Sequence, residues 1–135
     1  MALDANAFLV THVATCVAAL TWMVIDWIVN RKPTTVGVCT GAVAGLVAIT
    51  PASGSVGILG ACAIGLTTGI VCFFMVAVVK TKLKYDDSLD AFGVHGIGGI
   101  IGSILTGVFA SKTVTGGAEG ALYGDWHQLG LQVVA

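Results

Sequence analysis

Four long apolar runs, separated by short polar connectors, make up most of the sequence. They cover residues of about 7–29, 36–50, 56–79 and 90–110, and a further apolar segment begins at 127–135. A helix needs roughly 20 apolar residues to cross the hydrocarbon core of a bilayer. The run 56–79 contains no charged residue and is the clearest candidate for such a span. The pattern therefore predicts an all-α fold, a polytopic bundle of transmembrane helices.

The two ends of the chain are abrupt. Six residues precede the first apolar run, and the last apolar segment is far too short to cross a bilayer. We therefore expect the chain to be an internal part of a larger membrane protein.

Basic residues in the connectors predict the orientation of the spans. Five of the six lie in the first and third connectors and one lies in the fourth: Arg31, Lys32, Lys80, Lys82, Lys84 and Lys112, in chain order. Short loops rich in lysine and arginine stay on the cytoplasmic side. We expect the first and third connectors to be cytoplasmic, so that the fourth span runs outward.

Composition narrows the class of protein further. The chain is 56% hydrophobic and 10% charged, whereas soluble domains carry about 25% charged residues. A net charge of −1 provides no basic face, which excludes a nucleic-acid-binding protein. Four cysteines lie among apolar residues without CxxC spacing, and we predict that they are buried thiols acting as small hydrophobic side chains: Cys16, Cys39, Cys62 and Cys72.

Glycines recur four residues apart within three of the runs. Small residues at this spacing let helices approach closely in lipid, where apolar burial between helices contributes little. We predict that these glycines form helix-packing faces: Gly37, Gly41 and Gly45 in the second run, Gly65 and Gly69 in the third, and Gly98 and Gly102 in the fourth.

His95 is the leading candidate for function. It lies inside the fourth run with glycines close by on both sides, and an ionisable side chain in a span usually faces the bundle interior or a water-filled path. A neutral imidazole can accept one proton and donate another, which suits a proton relay or a polar position in an apolar pore. The alternative is a histidine that ties two helices together by hydrogen bonds.

Three aspartates precede this run: Asp86, Asp87 and Asp90. Acidic side chains at a helix N-terminus accept hydrogen bonds from unpaired amides and interact favourably with the helix dipole. We predict a structural role for all three.

Enzyme chemistry is not expected. The spans contain no GxSxG, HExxH or P-loop motif and no paired carboxylates. No metal or cofactor is expected either, because His95 alone is a poor metal site. Transport or conduction is therefore a better class of function for this chain than catalysis.

Three segments resemble the ammonium transporter family (Amt/Mep, related to Rh proteins). DDSLDAFGVHG at residues 86–96 resembles the family signature DDxxDxFGVHG, and GAVAGLVAITPA at 41–52 resembles GAxAGLVxxTPA. The segment GIIGSILTGVFA at 99–110 is similar as well. The matches follow the family order across nearly the whole chain. Ser88 stands where the family often has proline, a mild departure at a helix start.

The resemblance implies an eleven-span fold built from inverted repeats, of which this chain would supply spans seven to ten and the start of the eleventh. It implies a homotrimer in the plasma membrane with one hydrophobic pore per subunit, carrying ammonium or ammonia, with methylammonium as an analogue. His95 would be the second of two pore histidines, and Thr50 would face the pore at the outer end of the eighth span. A PII-type regulator would be a possible cytoplasmic partner in a prokaryote. The alternative is an ammonium sensor that uses the same bundle.

Overall fold

The computed structural model describes residues 2–79, 82, 90–116 and 119–134, and every element in these ranges is helical. The elements are α1 (Ala2–Asn30), α2 (Thr35–Ile49), α3 (Ile58–Phe74), the π-helical turn π1 (Met75–Val79), the π-helical turn π2 (Phe92–Gly96), α4 (Ile97–Phe109), α5 (Lys112–Thr115), a 3₁₀ turn (Ala121–Tyr123) and α6 (Trp126–Val134). The prediction of an all-α bundle is confirmed.

Three of the described helices are long and apolar enough to cross a membrane: Leu3–Asn30, Ile58–Ala77 and Phe92–Phe109. The second predicted span is shorter than these three, because the corresponding helix, α2, contains 15 residues. At 1.5 Å per residue it is about 22 Å long, shorter than a hydrocarbon core of about 30 Å. α2 begins at a cap, where the Thr34 hydroxyl accepts a hydrogen bond from the Gly37 amide at 3.0 Å.

α1 packs against both α2 and α3, and glycines determine how close the backbones come. A Cβ atom at Gly45 would lie 2.8 Å from the Ala14 carbonyl oxygen, and one at Gly65 would lie 2.5 Å from the same oxygen. A Cβ at Gly41 would lie 2.6 Å from the Trp22 Cβ. Such distances leave no room for a side chain, so these predicted packing glycines are contact points between helices.

Two buried clusters lie along this bundle. One contains Val10, Ala14, Ala48, Ile49, Ala52, Val56, Ala61 and Ile64, and the other contains Trp22, Ala44, Cys72, Phe73 and Val94. The second cluster, which we call the Trp22 cluster, joins α1, α2, α3 and π2. Within it the Trp22 and Phe73 rings meet edge to face, with centroids 5.3 Å apart.

The prediction that all four cysteines are buried is wrong in part. Cys72 is buried and Cys62 is half-buried, but Cys16 and Cys39 are exposed on the surface of the chain. All four are free thiols. Apolar neighbours in the sequence do not show whether a side chain faces another helix or the lipid, because both kinds of helix face are apolar in a membrane protein.

Candidate functional site

His95 lies on the π2 turn, at the start of the helix that continues as α4. The Ile97 amide donates to the Phe92 carbonyl oxygen five residues earlier, which is the hydrogen bond that defines a π turn. Such turns insert an extra residue into a helix and are frequent at functional sites. Within this turn Val94 is buried and His95 is exposed.

The exposed imidazole borders an apolar cavity of about 300 Å³ between π2 and the N-terminal half of α2. Its walls are formed by Thr35, Val36, Cys39, Thr40, Val43, Val94 and His95. Apolar atoms dominate this surface, and His95 is the one ionisable nitrogen base among its lining residues. An apolar wall offers a hydrated ion few hydrogen bonds in place of its water.

The π2 turn packs against the Trp22 cluster. Val94 is 3% exposed and packs within that cluster, one residue before His95. Gly93 lies against π1, where a Cβ would come within 2.9 Å of the Val76 Cγ2, and Val76 packs against the same cluster. The turn that carries His95 is therefore packed against the Trp22 cluster and π1, while the His95 side chain is exposed at the cavity.

Asp90 immediately precedes this helix, and its φ of 53° lies in the left-handed region, which aspartate tolerates better than most residues. Its carbonyl oxygen accepts a hydrogen bond from the Val94 amide at 2.9 Å. The predicted structural role of its carboxylate stays a prediction. Asp86 and Asp87, predicted to act at the same helix start, lie outside the described residues.

Thr50 is at the other end of α2 from the cavity. It is exposed, and its hydroxyl donates to the Leu46 carbonyl oxygen at 2.7 Å. Val43, the nearest cavity residue along α2, is seven residues away, or about 10 Å along the helix axis. The structure does not bring Thr50 into the cavity beside His95, and its predicted pore-facing role stays a prediction.

Asp26, which the sequence pattern did not single out as a functional residue, is 5% exposed near the C-terminal end of α1. One carboxylate oxygen accepts from Asn30 Nδ2 at 2.6 Å. The other accepts from the Thr34 amide at 2.9 Å and from the Thr34 hydroxyl at 3.0 Å. The signal available in the sequence was a lone acidic residue inside a predicted span, which usually has a partner and a purpose.

The other two histidines lie away from this cavity. His12 is exposed on α1, where its ring lies 4.3 Å from that of Phe8 between centroids, and His127 is exposed at the start of α6. Across the described ranges, histidines, cysteines and acidic residues form no cluster suited to a metal ion.

These features define an integral membrane helix bundle that presents one histidine to an apolar cavity. The model of the Ammonium Transporter Family matches residues 1–135. An ammonium transporter of Aquifex aeolicus (strain VF5) is 52% identical over 127 residues, which are 94% of this chain and 30% of that protein. The chain belongs to the ammonium transporter family, a family of membrane transport proteins and not of enzymes.

Solved structures agree with this assignment. The crystal structure of Saccharomyces cerevisiae Mep2 matches with a TM-score of 0.92 and 41% identity, over 99% of this chain and 31% of the Mep2 chain. A structure described as a sensor Amt protein matches with a TM-score of 0.86 and 31% identity, over 99% of this chain and 32% of that one. The chain thus spans about a third of the length of the relatives it matches.

Proposed function

We propose that this chain forms one wall of a pore in the plasma membrane that takes up ammonium and conducts it as ammonia, with His95 lining the pore. The observation that carries the proposal is the position of His95, which lies on the π2 turn and lines an apolar cavity. Family membership supports ammonium as the substrate.

The physical chemistry of the cavity suits this substrate. An ammonium ion that enters an apolar passage loses hydration, which favours the neutral form over the cation. Ammonia can then move past a neutral imidazole that accepts and donates hydrogen bonds. A potassium ion of similar size has no proton to release and faces the full cost of desolvation. Selectivity would follow from this difference.

The finer features of the mechanism belong to the same proposal. His95 would pair with a second pore histidine supplied by a part of the protein outside this chain. Assembly as a homotrimer and closure of the cytoplasmic mouth by a PII-type regulator are proposed from the family resemblance.

The test is uptake of labelled methylammonium by cells that express the full-length parent protein, as wild type and as His95→Ala. We expect His95→Ala to lose uptake or to admit potassium, at an unchanged amount of protein in the membrane. His12→Ala is the matched control, because His12 is also an exposed histidine in a span but lies outside the cavity. Unchanged uptake and selectivity in His95→Ala would assign His95 to helix packing.

A sensor is the second candidate function, and the match to a sensor Amt protein favours keeping it. The same bundle would then bind ammonium and pass a signal to another domain. The two functions separate in the wild type itself: a sensor binds ammonium without net uptake, whereas a transporter accumulates the labelled analogue.

A further inference from the structure

Asp26 joins the end of α1 to the start of α2 across the short connector between them. Its carboxylate accepts two hydrogen bonds from Thr34, one from the backbone amide and one from the hydroxyl. The same hydroxyl accepts from the Gly37 amide and so caps α2. One buried carboxylate therefore orients the cap residue that begins the next helix.

The first turns of α2 are also one wall of the cavity beside His95. Thr35, Val36 and Cys39 all line that cavity, within five residues of the capped start. Gly37 belongs to this segment and packs closely against Asp26, since a Cβ at Gly37 would come within 3.1 Å of the Asp26 Oδ2. Any displacement of the α2 start relative to α1 would move this wall relative to His95.

We infer that Asp26, acting through Thr34, is a positioning residue that holds the N-terminal turns of α2 at the correct distance from His95. The inference rests on the proposed function, because it gives the cavity wall a part in conduction. Asp26 does not line the cavity. Hydrogen bonds to an ionised group are stronger than neutral ones, which suits a carboxylate to this role at the end of a span.

The first test measures methylammonium uptake by the full-length protein with Asp26→Leu, a residue of similar size without acceptors. We expect the apparent KM to rise by roughly tenfold at an unchanged number of copies in the membrane. Thr34→Val should raise it less, because the backbone amide of residue 34 still donates to Asp26, and the double variant should be no worse than Asp26→Leu alone, because both act through one link. Thr34→Ser keeps the hydroxyl and should restore the wild-type KM.

Asn30→Ala is the matched control, because it removes a hydrogen bond to the same carboxylate that stays within α1. A merely structural Asp26 would give a different result: fewer copies in the membrane at an unchanged KM. That result, or an Asn30→Ala effect as large as that of Asp26→Leu, would overturn the inference.

A second measurement does not depend on transport. Full-length protein in vesicles is treated with N-ethylmaleimide, and the labelling rates of Cys39 and Cys16 are followed by mass spectrometry of their peptides. In Asp26→Leu we expect Cys39 to react several times faster while Cys16, exposed on α1, keeps its rate. Equal Cys39 rates in the wild type and the variant would overturn the inference even if the wild type transports nothing.

Discussion

At the junction of α1, α2 and α3, glycines bring three backbones together, whereas Gly98 and Gly99, near the start of α4, have more room around them. Gly45 and Gly65 approach the same carbonyl oxygen of Ala14 from two different helices. A Cβ at Gly99, in contrast, would meet no atom within 4 Å, and one at Gly98 would make an ordinary contact at 3.5 Å. The same residue type thus serves close packing in one region and leaves free surface in the other.

The two regions also differ in helix geometry. α1, α2 and α3 are regular α-helices where they meet, and the small residues between them leave little freedom to shift. The helix of His95 begins instead with a π turn and is flanked by two cavities, one against α2 of about 300 Å³ and one against α6 of about 410 Å³. A rigid scaffold beside an open face fits the proposed pore, because a pore wall must stay fixed while the substrate moves.

The largest effect is expected at the junction of α1, α2 and α3. Gly65→Ala places a methyl group against the Ala14 carbonyl, and we expect a loss of about 3 kcal/mol in stability because backbone cannot move aside as a flexible side chain can. The check is the thermal midpoint of the purified full-length protein in detergent. A midpoint equal to that of the wild type would show that α1 and α3 are farther apart than the structure places them.

An intermediate effect is expected at the boundary between the two regions. Val94→Ala removes two methyl groups from the Trp22 cluster, and we expect a loss of about 1.5 kcal/mol in stability together with weaker discrimination against potassium. Val134→Ala, at an exposed position in α6, is the control. If Val94→Ala lowered the midpoint but left selectivity untouched, the cluster would support the fold without holding the π2 turn in place.

The smallest effect, of opposite sign, is expected in the open region. Gly99→Ala adds a methyl group where this chain has nothing within 4 Å, and alanine favours a helix by about 1 kcal/mol over glycine. We expect a slightly higher thermal midpoint and unchanged methylammonium uptake. A lower midpoint would reveal that another segment of the full-length protein contacts this surface.

The sequence predicted the helical class, and it singled out His95, whose role in transport stays a prediction, for clear physical reasons. Long uncharged runs are rare outside membranes, and a histidine inside such a run is costly unless it has a use. The contact glycines were predictable for the same kind of reason, since a four-residue spacing places small residues on one helix face.

Other features depend on three-dimensional packing and could not be predicted. The exposure of Cys39 depends on which apolar face turns toward the cavity, and a run of apolar residues has no polar stripe to mark it. The link from Asp26 to Thr34 joins residues eight apart across a connector, beyond the spacing of contacts within a helix. The π2 turn spans only five residues, too few for the hydrophobic pattern to distinguish it from an ordinary α-helical turn.

The π2 turn limits the changes in length that this part of the helix can accept. A π turn holds one residue more than an α-helical turn, and one residue corresponds to about 100° of rotation around an α-helix. A single-codon deletion within 92–96 would leave a continuous helix but change the phase between the residues before and after it. His95 and the face of Gly102 that contacts Ala48 could then no longer both face their present neighbours. The extra residue shifts the phase of the helix, so that one helix presents His95 to the cavity at its start and contacts α2 through Gly102 farther along.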